Sequence, residues 1–102
     1  MQYEWDEHKA WRNRQKHGVS FEVATEVFED ERYLLQLDRV DETGEQRWKA
    51  IGGVPTRSGA VTVLVVVHAH RETDDGEGIV RIISAREAGP SERRRYQAQQ
   101  AD

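Results

Sequence analysis

Cysteine is absent from the sequence, which excludes a disulfide framework, a thiolate zinc site, an iron–sulfur cluster and a cysteine nucleophile. A reducing compartment fits that composition. Proline occurs only twice, and the eight glycines form no repeat or flexible tract, so no linker divides the chain and a single domain over residues 1–102 is expected. No apolar run approaches the roughly 18 residues of a membrane span. The opening Met-Gln-Tyr-Glu-Trp-Asp is acidic where a secretory leader is basic. Export and membrane insertion are therefore not expected, and the predicted location is cytoplasmic.

What is present is charge. Of 102 residues, 33% are charged and 36% hydrophobic, with a mean hydropathy of −0.88, so a small core lies under a heavily charged skin. A chain of this size still removes roughly 65% of its unfolded surface from water, enough to fold without staples. The charge is unevenly distributed. Residues 1–46 hold 6 Lys/Arg against 12 Asp/Glu, whereas residues 47–102 hold 9 against 7. Inside the acidic half, Lys9, Arg12, Arg14 and Lys16 cluster beside His17. The overall pI near 5.6 argues against indiscriminate polyanion binding, but a local positive field can still focus a phosphate chain.

Local signals divide the chain into elements. Asp6 is a good N-cap and Gly18 a good left-handed stop, which predicts a helix over about 7–17. Ser20 starts a second helix, with Phe21, Ala24, Val27 and Phe28 at helical spacing. Strands are expected at Tyr33–Leu37, at Gln46–Val54 and at Val61–Val67. In the second, Trp48, Ala50 and Gly52 alternate with Arg47, Lys49 and Ile51. The third is apolar and β-branched enough to be central and buried on both faces. A hairpin through Asp74–Gly78 leads to a last strand, Ile79–Ala85. Gly89 and Pro90 then open a C-terminal helix whose tail, about 97–102, is expected to fray. The predicted class is α+β: two N-terminal helices, an antiparallel β-sheet meander, and a C-terminal helix across one face. Trp5, Trp11 and Trp48 are expected in the core, the alternative being that one near a basic patch stacks on a base.

Several of these residues also form two specific blocks. Trp5-Asp6, Asn13 and Lys16-His17-Gly18-Val19-Ser20-Phe21, followed by Arg81-Ile82-Ile83-Ser84-Ala85-Arg86 and Glu92-Arg93-Arg94-Arg95-Tyr96, resemble the BrnT family, ribonuclease toxins of bacterial type II toxin–antitoxin pairs. The resemblance runs over nearly the whole chain. It implies a RelE-like fold and RNA cleavage without a metal or other cofactor. It also implies neutralisation by a BrnA-like ribbon-helix-helix antitoxin, in a heterotetramer built on an antitoxin dimer and reaching DNA only through that partner. Two positions and one short segment depart from the family pattern. Arg14 replaces an apolar residue, Gly89 replaces a threonine that would complete a capping box with Glu92, and His68-Ala69-His70 occupies a segment that commonly carries an aromatic.

Metal-free RNA cleavage needs a base for the ribose 2′-hydroxyl, cations for the pentavalent phosphate, and an acid for the leaving 5′-oxygen. With the resemblance, this makes Arg86 and Arg81 candidates for charge stabilisation and His17 the candidate acid/base. Lys9, Lys16 and Arg71 are candidate substrate contacts. Each has a plainer reading: Arg86 as a strand-end residue paired with Glu92, His17 as a cation answering the helix dipole, the lysines as solvated charge. Positions 81 and 86 differ by an odd number, so a regular strand would point them to opposite faces. Both reach one phosphate only if the strand bends or ends before Arg86. His68 and His70 share a strand face, but no third ligand accompanies them and no metal is expected. The run Arg93–Arg95 suits RNA, an antitoxin or solvent equally. The rival to a nuclease is a non-catalytic RNA- or antitoxin-binding module acting in autoregulation of its operon.

Overall fold

The computed structural model describes residues 1–100, with side chains through residue 99. The elements in chain order are β1 (Gln2–Glu4), α1 (Glu7–His17), α2 (Phe21–Ala24), a 3-10 segment (Thr25–Glu29), β2 (Leu34–Val40), β3 (Gln46–Pro55), β4 (Val61–Glu72), β5 (Gly78–Glu87) and α3 (Pro90–Gln100). The strands form one sheet in the order β1-β5-β4-β3-β2. β2 to β5 are a meander of antiparallel pairs, with β4 in the centre as its apolar run requires.

Two expectations about the class are corrected. The sheet is mixed, because β1 pairs in parallel with β5 through Gln2↔Ile79, Tyr3↔Val80 and Glu4↔Arg81. A strand of three residues is too short to show alternation, and its partner lies at the far end of the chain. The N-terminal region is also not a pair of full helices. A strand precedes α1, and α2 is a single turn before the chain tightens into the 3-10 segment. The Thr25 hydroxyl donates to the Glu22 carbonyl at 2.7 Å, the kind of local bond that competes with helix continuation. Helix α3 continues through 97–100 of the segment expected to fray; residues 101 and 102 lie outside the described residues.

The caps of α1 are those the residues dictate. Asp6 accepts from the Lys9 N–H at 2.9 Å, and Gly18, at φ 74, donates to the Arg14 carbonyl at 2.8 Å. The major core lies on one sheet face, where Phe21, Ala24 and Val27 pack on Ala50, Leu64, Val66, Val80, Ile82 and Ala85. The opposite face carries a smaller cluster of Ile51, Val63 and Val65 under Ala88, which precedes α3, and Tyr96 of α3. Glycine lets α3 approach. A Cβ at Gly53 would fall 2.9 Å from the Tyr96 Oη and 2.8 Å from Val61 Cγ1. There Asp30 takes hydrogen bonds from the Gly53 N–H and from the Tyr96 hydroxyl.

β1 protects only the first part of β5, and beyond Arg81 that edge is finished by a side chain. Asn13 accepts from the Ala85 N–H at 3.1 Å and donates to the Ala85 carbonyl at 2.9 Å and the Val19 carbonyl at 3.1 Å. A single buried amide therefore stands in for a neighbouring strand and holds α1 against the sheet.

Candidate nucleic-acid interface

The pairing of β4 with β5 slips by one residue. Val67 faces Ser84 and His68 faces Ile82, which leaves Ile83 without a partner of its own. Such a bulge resets the alternation of side chains. Arg86, opposite Val65, and Arg81, opposite Ala69, consequently stand on the same face, with Ser84 between them. The four ladder steps from Val65 to Ala69 set the two arginine Cα atoms about 13 Å apart, within the combined reach of two extended side chains.

This is the face that α3 covers only in part. Across it, Ile51, Val65 and Arg86 stand abreast, then Lys49, Val67 and Ser84, then Ala69 and Arg81, with Arg47 two residues from Lys49 on the same side of β3. Small residues thus form a floor ringed by cations. Each cation is held by acid. Glu92, in the first turn of α3, receives Arg86 through Nη1 at 2.8 Å and Nη2 at 2.9 Å, together with the Gly89 N–H at 2.9 Å. Lys49 lies 3.7 Å from Glu92 and 3.9 Å from Asp38. Arg81 hydrogen-bonds Glu45, and Arg47 lies 3.6 Å from Asp41. The hydrogen bond to Arg86, with the Gly89 amide adding to it, holds the Glu92 carboxyl down at about 2. Glu92 thus stays ionised and serves as an anchor rather than a proton carrier. The same hydrogen bond raises Arg86 above its usual value. With the Glu87 carbonyl accepting from Nη1 at 3.3 Å, these contacts occupy three of the five guanidinium N–H groups.

Helix α1 borders this face along the edge of β5. Lys9, Lys16 and His17 line, with Ile83 and Ser84, an open hollow of about 610 Å³. Lys9 also lines a second hollow, of about 300 Å³, with Asp6, Arg47 and Arg81. It therefore connects the His17 side to the Arg81 side. Arg86 lines neither hollow and sits on the α3 side of Ser84. Arg71 is on the same sheet face but farther along β4, opposite Ile79, where it reaches Glu4 through Nε at 3.2 Å and Nη2 at 2.6 Å. The candidates thus fall into Arg81 and Arg86, on one sheet face but held by different acids, a flank of Lys9, Lys16 and His17, and the outlying Arg71.

The two histidines of β4 belong elsewhere. His68 faces the major core, with its ring edge-on to Phe28 and to His70 at 4.9 Å in each case. It is fully buried, its Nδ1 lies 3.3 Å from the Val66 carbonyl, and its Nε2 has no hydrogen-bond partner. Among the described residues, no group of three or more histidines, acids or cysteines could hold a metal ion. Burial lowers the His68 imidazole from 6.5 to about 4, so the folded chain carries it neutral while the unfolded chain protonates it below its ordinary value. The unfolded state then binds more protons between about pH 6.5 and 4, and stability must fall as pH falls through that window. At pH 5 the expected loss is about 2 kcal/mol relative to pH 7. Chemical denaturation at the two pH values checks this, and His68→Leu should flatten the difference; an unchanged pH slope in that variant would remove His68 as its source.

Trp11 departs from the expected core position. It is 60% exposed, whereas Trp5 and Trp48 are half-buried and Trp5 meets Phe21 edge-on at 6.0 Å. Arg47 and Lys49 were not among the candidates read from sequence. Their signal was the alternation in β3, which places two cations on one face of a strand next to the apolar β4.

The fold and this face together define a small α+β domain with an open sheet surface on which Arg81, Arg86, Lys49 and Arg47 are each paired with an acid, and with a basic helix alongside. A family model described as "Ribonuclease toxin, BrnT, of type II toxin-antitoxin system" matches residues 5–92, and the chain belongs to that family. It is a ribonuclease toxin, with RNA as its target and an antitoxin as its partner. No curated protein matches the chain. The matched span includes α1, the bulge and the Arg86–Glu92 pair. No described helix is long and apolar enough to cross a membrane.

Proposed function

We propose that this toxin cleaves RNA without a metal, by attack of a ribose 2′-hydroxyl on the adjacent phosphorus, at the open face between Arg81 and Arg86. The observation that carries this reading is the bulge at Ile83, because it turns both arginines to one side of the sheet over Ser84. The scissile phosphate lies between them, with Lys49 and Arg47 next to it. Charge that grows on the phosphoryl oxygens is met by preorganised guanidinium donors, which are held in place by Glu92 and Glu45 and need no reorientation. His17 is the acid/base group. It takes the 2′-hydroxyl proton as the new P–O2′ bond forms and the P–O5′ bond breaks; the leaving 5′-oxygen takes a proton from solvent water, to which the imidazolium afterwards returns its own. The products are a 2′,3′-cyclic phosphate and a 5′-hydroxyl. Lys9 and Lys16 hold neighbouring phosphates, and Arg71 extends the cationic track along β4.

The antitoxin in this reading is a BrnA-like ribbon-helix-helix protein. The assembly is a heterotetramer that reaches DNA through that partner, and the free toxin acts as a single domain in the cytoplasm. The test is direct: labelled RNA incubated with purified protein in EDTA should be cut to fragments ending in 2′,3′-cyclic phosphate. Cleavage that disappears with chelator and returns with a divalent ion would remove the metal-free mechanism. Binding without any cleavage would leave the non-catalytic module in its place.

A further inference from the structure

At 3.6 residues per turn, Asn13 and Trp11 lie about 160° apart around α1. Asn13 faces β5, bonded to Ala85, and Trp11 faces outward at 60% exposure, next to His8, whose ring is nearly parallel to it at 16°. Between them, on the side of the open sheet face, the helix surface is filled by Lys9, Lys16 and Arg12. These cations and Trp11 line the same hollow as Ser84. A basic strip therefore leads from the sheet edge at Ser84, over α1, to the exposed indole of Trp11, which His8 flanks on one side.

A tryptophan left 60% exposed forgoes the stabilisation that its burial would supply. Val19, Phe21 and Ala24 fill the core beside α1 without it. On its Lys9, Arg12 and Lys16 side the indole offers a base a stacking surface and its phosphates counter-charges, the pairing used by proteins that hold single strands, while Glu7 and Glu22 line the hollow on its other side. The path over α1 is one helix diameter, about 10–12 Å, a distance that a nucleotide or two of unpaired strand can span.

We propose that Trp11 is the stacking platform for an unpaired nucleobase flanking the scissile linkage, which makes single-stranded RNA the substrate class of this toxin. The inference rests on the nuclease reading of the Arg81–Arg86 face. Bases inside a duplex are stacked on one another and present no free π-face, so Trp11 discriminates by strandedness and not by sequence. Trp11 acts on substrate position and leaves the reacting atoms to the sheet face.

The test uses the full chain and an unstructured RNA of about a dozen nucleotides, alone and annealed to its complement. Carrying a 2′-deoxy block at the cleavage position, the strand reports binding apart from cutting. Trp11→Ala should weaken binding of the single strand about tenfold or more, while Trp11→Phe should restore most of it. With cleavable RNA, the loss should appear in KM with kcat nearly constant, and the melting temperature should stay near that of the parent because the side chain is mostly exposed. An abasic nucleotide at the stacked position should cost the parent protein as much as the Trp11→Ala change and cost the variant nothing further. Equal binding of single strand by the parent and by Trp11→Ala would overturn the proposal, as would a duplex bound as tightly as the single strand. A variant that binds RNA normally but escapes its antitoxin would assign Trp11 to the protein partner instead. Intact stacking without cleavage would sink the nuclease reading alone, so the two failures are distinguishable.

Discussion

Asn13→Ala is expected to destabilise the fold by about 3 kcal/mol and to lower the melting temperature on the order of 15 °C. The side chain is only 8% exposed and serves three main-chain groups: the Ala85 N–H, the Ala85 carbonyl and the Val19 carbonyl. Truncation leaves all three without their partner in a region where water has little access, and an unsatisfied buried group costs about 1–3 kcal/mol. Asn13→Asp separates the donor from the acceptor. It keeps an oxygen for the Ala85 N–H but sets a carboxylate against two carbonyl oxygens, so it should destabilise at least as much as alanine at neutral pH. The consequence reaches function, because α1 carries Lys9, Lys16, His17 and Trp11 and its attachment to the edge of β5 runs through this amide. Thermal melts of the two variants decide the matter. A loss under about 0.5 kcal/mol for Asn13→Ala would mean that β5 does not depend on the amide to finish its edge.

Arg86→Ala should lower the cleavage rate by about 100-fold to 1,000-fold, the scale on which a single oxyanion donor acts. The same substitution also costs stability, since it strips the bidentate partner from Glu92, whose side chain is 14% exposed and whose carboxyl is held at about 2. Losing charge-assisted bonds of that kind is worth about 1.5–3 kcal/mol, so a fall in activity in this variant alone is ambiguous. The pair Arg86→Gln and Glu92→Gln in one chain removes both charges and leaves no unpaired carboxylate. It should regain much of the stability while cleavage stays low. Glu92→Gln by itself keeps the guanidinium but frees it to wander, and should reduce activity by less than Arg86→Ala. Melting curves and cleavage rates measured side by side on the three variants make the comparison. Full activity in the double variant would strike Arg86 from the site.

Much of the molecule was legible in local sequence. Asp6, Gly18 and Ser20 mark their helix ends because capping is a matter of a few adjacent residues. The β-branched run of β4 marks the centre of the sheet, because only a strand covered on both faces has a use for it. Glu92 still reaches the Gly89 amide at 2.9 Å although glycine has removed the side-chain half of the capping box, so the start of α3 survives a departure from the family pattern. Trp11 was misread because burial is the common fate of tryptophan, and its neighbours in sequence do not reveal that Phe21 and Ala24 already fill the adjacent core.

By itself, then, the sequence determined the helix caps, the order of the β2–β5 strands, the cationic residue types and membership in a ribonuclease toxin family. These depend on nearest neighbours or on residues read one at a time. The tertiary structure alone decided that β1 joins β5 in parallel, that Ile83 is pushed out of register, and that Asn13 completes the strand edge. Those are long-range pairings, and a one-residue slip in a ladder is invisible to the alternation of a single strand. On that slip depends whether Arg81 and Arg86 share one face or are separated by the thickness of the sheet.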